Sequence, residues 1–306
     1  MSTLDAARTT AATGLAEWPL DPLGRQLAGL TRAIRPLLGF NSLAEILRVL
    51  DLAGDAAPPI PILSLASSHG GVLGAQLVAQ QVVLAERLAA GKSIQTLHTV
   101  FPNPSAWDQP LDVDVEWLQS GRTFANLALT FRQGGRPVSR ADVLLGADAP
   151  DHVRHEAPVP AGWTGPDAAI PVRHPMFPWE TRTAPGPWAF GLDLWQRIPA
   201  APADPALWRA LIAFSAEPLA VHFTELAHEE LGTAPAVPGQ RVAASVLAQT
   251  VTFVEEIDVR DWHLIRVSAE HAGHGRVLGR GEIRQADGRL CAVFECVGVL
   301  RALPAR

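Results

Sequence analysis

GGVLGAQLVAQQVVLAERLAAG, residues 70–91, reads as one helix that is apolar almost all round, interrupted only by Gln76, Gln80, Gln81, Glu86 and Arg87. A helix with no face suited to water has to be wrapped by other elements. The chain that follows can do this. Residues 94–101, then LDVDVEWLQSG (111–121) in strict alternation, then FANLALTFRQGGRPVSRADVLLG (124–146) around a Gly134-Gly135 turn, read as an antiparallel meander. Upstream, NSLAEILRVLDLAG (41–54) opens with Ser42 and Glu45 in capping-box spacing and carries Leu43, Ile46, Leu47 and Leu50 on one stripe, a short amphipathic helix ending at Gly54. Residues 1–40 show no sustained period and read as a surface extension.

The order of elements then repeats. After a Pro- and Trp-rich connector over 148–187 come a strand at GLDLWQR, a helix from Pro205, and strands near 242–253, 261–271, 276–286 and 289–301. Arg132-Gln133-Gly134-Gly135-Arg136 is echoed by Arg284-Gln285-Ala286-Asp287-Gly288-Arg289 at an offset of 152, about half of the 306 residues. The expected class is α+β: a double hotdog, with two long helices each wrapped by an antiparallel sheet and the sheets paired side by side. Its parts are an extension (1–40), a first hotdog (41–147), the connector (148–187) and a second hotdog (188–306). Pairing the sheets covers the strand edges that an isolated unit would expose.

Composition excludes several functions. With 48% apolar and 18% charged residues the chain can bury a large core. A formal charge of −6, with Lys92 the one lysine among dispersed arginines, gives no nucleic-acid footprint. The N-terminal residues lack a basic segment followed by an apolar one, and no apolar run is long enough to span a bilayer, so the expectation is a cytoplasmic protein without a membrane partner. Cys291 and Cys296 cannot build a disulfide framework and read as free thiols. No G-x-S-x-G elbow, Walker loop or dinucleotide fingerprint is present. The pairs His152/His155 and His271/His274 lack a convergent ligand set, so no metal is expected.

Two places carry candidate chemistry. Ser67-Ser68-His69-Gly70-Gly71 precedes the first buried helix, where glycines let a substrate carbonyl approach backbone amides at a helix start, an oxyanion-hole geometry. The same glycines are also what tight helix-on-sheet packing needs, and His69 is either an acid or base beside the hole or a capping residue. In ALWRALIAFSAEPLAV (206–221), Leu207, Ala210, Leu211 and Phe214 form an apolar face that Glu217 joins. Glu217 is then either a buried carboxylate with a raised pKa, fit to act as a base on water, or a solvated group at a helix end; Pro218 should kink or end the helix there.

These residues resemble the type II acyl-CoA thioesterase family, proteins with two fused hotdogs. His69-Gly70-Gly71 through Gln76 resembles the family's Phe-Gly-Gly followed by a helical Gln. Gln95-Thr96-Leu97-His98-Thr99-Val100-Phe101 resembles its His-Ser-Leu-His strand, and Ser120-Gly121-Arg122-Thr123-Phe124 its Asp-Gly-Arg-Ser-Phe turn. In the second half Leu194-Trp195-Gln196-Arg197 and Gly298-Val299-Leu300-Arg301 are similar to family strands. The resemblance implies hydrolysis of an acyl thioester by a water held by a helix Asp and by strand Thr or Ser and Gln, with no cofactor beyond the CoA or pantetheine carried by the small-molecule substrate, in fatty acid or natural-product metabolism. Aligned without gaps, the Asp falls on Glu217, the Gln on Cys296 and the Thr on Val246, next to Ser245; a bulge would instead bring in Gln249, Thr250 or Glu295. The site set implied is Glu217, His69, Ser245, Thr250 and Cys296 for chemistry, with Gly70, Gly71, Val72 and Gln76 for substrate. A dehydratase, isomerase or cyclase on the same fold, with His69 and Glu217 moving protons, or a non-catalytic acyl-binding protein, is the alternative. Homo-oligomerisation stays open, since the fused halves already supply the pairing one hotdog needs.

Overall fold

A computed structural model describes residues 41–52, 59–67, 70–159, 162–172, 177–185, 191–230 and 242–302. The 1–40 extension and His69 lie outside them. The short helix α1 (Leu43–Leu50) has its capping box formed, Ser42 Oγ accepting from the Glu45 amide while Glu45 accepts from the Ser42 amide. It stops at Leu50, before the expected Gly54, and buries Ile46, Val49 and Leu50.

Helix α2 (Gly74–Leu88) is buried at every position from Ala75 to Glu86. It starts four residues later than its pattern suggests because Gly70–Val72 is engaged elsewhere: Gly70 has φ +84°, Gly71 bridges Ala106, and the Val72 amide donates to Ser105 O at 3.2 Å. Its buried polar side chains are all bonded. Gln76 takes the Leu65 amide (2.8 Å) and donates to Leu63 O (3.0 Å), Gln80 donates to Val49 O and Leu63 O (2.9 Å each), and Gln81 joins Ser139 and Thr99. Such pairing is what makes a glutamine-bearing core helix affordable.

The strands are β1 (Ile60–Ile62), β2 (Ser93–Val100), β3 (Leu111–Ser120), β4 (Phe124–Gln133), β5 (Arg136–Gly146), β6 (Ile170–Val172), β7 (Glu180–Pro185), β8 (Gly191–Arg197), β9 (Val242–Phe253), β10 (His263–Gly273), β11 (Arg276–Gln285) and β12 (Leu290–Ala302). They form one antiparallel sheet in the order β1-β3-β4-β5-β2-β9-β12-β11-β10-β8-β7-β6. The order reads the same outward from the β2–β9 joint in both directions: β2-β5-β4-β3-β1 on one side, β9-β12-β11-β10-β8 on the other. Gly134 and Gly135, both at positive φ, close the β4–β5 hairpin in the two-residue form that matches strand twist.

The second helix, α3 (Pro205–Glu230), packs against β9–β12 as α2 packs against β2, β4 and β5, and the two helices pack on each other. It runs through Pro218 instead of ending beside it, since one missing donor is tolerated in a helix held by buried faces on both sides. The connector is more than a link. Its β6 and β7 extend the sheet, Trp163 stands edge-on to Trp195 (centroids 5.2 Å apart), and Trp195 donates to Thr164 O at 2.8 Å. The Glu156 carboxylate accepts from the Leu290 amide and pairs with Arg284 (3.6 Å), fastening the connector to β11 and β12. Among the described residues no helix is long and apolar enough to cross a membrane. Both cysteines are free and buried; the β11–β12 register shifts at Cys291, so the odd spacing still leaves both thiols inside.

Candidate active site

Glu217 lies on the buried side of α3, only 8% exposed, one turn after Phe214. Its carboxyl group sits against the first residue of α2. A Cβ added to Gly74 would fall 2.2 Å from Glu217 Oε1, so glycine is the one residue that leaves room for the carboxylate there. The Ala75 amide, an unpaired donor of the helix start, bonds to this carboxylate. Phe101, just past β2, closes on the same point, with its ring 3.5 Å from where that Cβ would be. Burial pushes the Glu217 pKa up to about 7, against the smaller downward pull of the Ala75 amide. The carboxyl is therefore near half-ionised at neutral pH, able to take and return a proton.

The sheet floor beneath carries a polar row across the joint between the halves. Thr99, Gln249 and Cys296 are register partners on β2, β9 and β12, and all three are buried. Thr99 Oγ1 donates to Gln81 Oε1 at 2.6 Å. Burial, with the negative charges of Glu217 and Glu295, holds the Cys296 thiol well above its ordinary range. Gln249 is different: its Oε1 and Nε2 are both buried and neither has a hydrogen-bond partner. A buried amide left open on both atoms costs about 1–3 kcal/mol per group unless a guest completes it.

The opposite end of the helix pair offers a comparison. Glu86 stands twelve residues after the first residue of α2, as Glu217 does in α3. Arg209 of α3 grips Glu86 with two bonds of 2.6 and 2.7 Å, and the Ile94 amide donates to it at 2.9 Å. One carboxylate is neutralised by an arginine while the other faces a glycine and an amide.

The structure brings Glu217 and Cys296 together, and sets the other described candidates apart. Ser245 is exposed and donates to Val246 O (3.3 Å). Thr250 turns to the outer face, where its Oγ1 meets His98 Nδ1 at 2.9 Å. A register shift at Val297/Gly298 puts Leu247 out of phase with β12, which is why Gln249 points inward while Thr250 does not. The glycine-fronted tip is not an open amide cradle: Gly70 N donates to Ser67 O and Val72 N to Ser105 O, each at 3.2 Å. Gly71 forms the bridge to Ala106, and Gln76 is fully engaged by the backbone of Leu63 and Leu65. The amide that meets the carboxylate is that of Ala75, in the first turn of α2. The missed residues are Gly74, Ala75 and Phe101. Gly74 had a signal, a glycine inside a helical pattern where Ala would be better by about 1 kcal/mol.

Residues 63–146 match the family model described as the acyl-CoA thioesterase N-terminal domain. No curated protein matches the chain. Among solved structures, the fold is similar to a TesB protein of Mycobacterium avium subsp. paratuberculosis (21% identity, 85% of this chain and 100% of that one, TM-score 0.68). It is similar as well to the acyl-CoA thioesterase II TesB2 of Mycobacterium marinum (20% identity, 85% and 98%, TM-score 0.70). A conserved protein with hot dog fold from Alicyclobacillus acidocaldarius is a third (20% identity, 78% and 89%, TM-score 0.60). The hotdog fold and the resemblance to type II acyl-CoA thioesterases read from the sequence are both borne out.

Proposed function

From that kinship, we propose that the chain hydrolyses acyl thioesters, CoA or pantetheine-borne, with Glu217 as the general base, and that its two helix-on-sheet units act as paired hotdogs. One observation carries the reading: a buried carboxyl with a pKa of about 7, lodged on the helix start of the other half of the chain. In its ionised form Glu217 takes a proton from a water, whose oxygen attacks the thioester carbonyl carbon. The start of α2, whose Ala75 amide holds Glu217, stabilises the oxyanion with its other first-turn amides and the helix dipole. Collapse breaks the C–S bond, and the proton held by Glu217 passes to the departing sulfur. The products are the free acid and the thiol, and the carboxylate is restored.

Gln249, with both amide atoms open, is the side chain we assign to hold the water, in place of Ser245 or Thr250. Cys296 is a neutral neighbour, since its thiol does not ionise at working pH. No metal or redox group enters this chemistry, and a cytoplasmic location, where CoA thioesters are made, suits it. The test is thiol release from a panel of short, medium and long acyl-CoAs. We expect release by the wild type and its loss, by at least about a hundredfold, in Glu217→Gln. A chain inert across the panel refutes the proposal.

A further inference from the structure

A second set of buried, unpartnered polar atoms lies in the same half as α3, and the mechanism above does not use it. Thr181, Gln196, His263 and Gln285 are register partners on β7, β8, β10 and β11, all buried. The strand-mates of Gln196, Leu192 and Leu194, belong to the main core, so this row faces the helix side of the sheet. Gln285 is satisfied by the backbone of Asp258 and Trp262, and Thr181 donates to Trp179 O at 3.3 Å. Three groups are not satisfied. Gln196 has neither Oε1 nor Nε2 bonded, although it is fully buried, and His263 Nε2 and Trp179 Nε1 are likewise buried without partners.

This cluster is connected to the reacting centre. Trp179 meets Phe214 edge-on with centroids 6.1 Å apart, and Phe214 precedes Glu217 by one helical turn, about 5 Å. Trp179 stands two residues before Thr181, the β7 register partner of Gln196, so a route from the Glu217 carboxyl along α3 ends on hydrogen-bonding groups instead of hydrocarbon. Those groups have no net charge. Burial holds His263 at a pKa of about 4, so its ring is neutral at working pH, and with Nδ1 directed at Asp261 O (3.2 Å) its Nε2 is an acceptor. The set offers an indole donor, an imidazole acceptor and an amide that is both. That suits a neutral hydroxyl or keto oxygen and disfavours a carboxylate or an ammonium.

We infer that Gln196, His263 and Trp179 form the far end of the acyl chamber and select acyl groups that carry a neutral oxygen substituent on the chain. The inference rests on the thioesterase reading and adds a substrate class to it. A pocket built to bond an oxygen rejects the analogue lacking it far more strongly than an apolar pocket rejects an added methylene.

The test uses the full chain with ω-hydroxyacyl-CoAs of six, eight and ten carbons against their plain counterparts. For at least one length the hydroxylated member should have a kcat/KM at least about tenfold higher. Gln196→Leu should invert that ratio, lowering the hydroxylated substrate and raising the plain one. Trp179→Phe, which keeps the ring contact with Phe214 and removes the donor, gives the same test if the first variant does not fold. Equal kcat/KM across every pair, the result if the cluster holds only water, overturns the inference and leaves the hydrolase standing. If no thioester is hydrolysed, the hydrolase reading fails, and calorimetric binding of the free acids decides the inference separately. Tighter binding of the hydroxy acid by wild type but not by Gln196→Leu supports it, and equal affinities overturn it.

Discussion

Replacing Glu217 by Gln should abolish turnover and, at the same time, stabilise the protein. In the folded chain the carboxyl has a pKa of about 7, against 4.5 for the same group in water. Between those values the unfolded chain has released its proton and the folded chain still holds one, so stability falls as pH rises through the interval. At about 1.4 kcal/mol per pH unit the total is roughly 3 kcal/mol, absent below pH 4.5 and complete above pH 7. Most of it falls between pH 5 and 8. Gln keeps the length and an acceptor for the Ala75 amide but has no charge to desolvate. Urea unfolding of wild type and Glu217→Gln at intervals from pH 5 to 8 should therefore give curves that diverge with pH, the variant ahead by a margin that grows until about pH 7 and then levels. Hydrolysis by the wild type should rise through the same midpoint, because the ionised form is the base. A stability difference that does not change with pH would show that Glu217 is ionised throughout, and the reasoning from its burial would be wrong.

Other outcomes follow from single contacts. Gly74→Ala drives a Cβ to within 2.2 Å of Glu217 Oε1, so kcat should fall by at least about a hundredfold through misplacement of the base; adding Glu217→Asp, one carbon shorter, should recover part of the loss. Gln249→Leu removes two open buried polar atoms and should raise the stability measured by urea unfolding by about 1 kcal/mol while slowing hydrolysis. Arg209→Leu leaves Glu86 buried and unpaired and should cost about 3–5 kcal/mol, much of it regained in the double variant with Glu86→Gln, as a double-mutant cycle would read. Iodoacetamide should leave Cys291 and Cys296 unmodified in the native protein at pH 7.5, since burial lifts the first to about 11 and the second well above its usual value.

What was legible in the sequence was whatever depends on local pattern. The all-round apolar helix, the meander behind it, the Gly134-Gly135 hairpin and the carboxylate at Glu217 on an apolar face are all periodicities or short-range signals, and the structure carries each of them. The site failed to be legible where it depends on register. A single bulge near Leu247 decides that Gln249 faces inward and Thr250 outward, and nothing in the residue types there marks it. The glycine-fronted tip differs from its sequence reading for a related reason. Gly70 and Val72 sit beside the helix start in sequence, but long-range bonds to Ser105 and Trp107 engage that loop's polar groups, and the amide that meets Glu217 lies in the turn that Gly74 opens.

The unequal ends of the helix pair have a meaning for how such a chain can change. In a protein assembled from two identical subunits, any substitution is made twice, so a residue that quiets one carboxylate quiets both. Joining the copies into a single polypeptide lifts that restriction. Here an arginine can clamp Glu86 and hold the two helices together, while at the other end Gly74 stays bare beside Glu217. Within one polypeptide, one end can serve as a rivet while the other is left open.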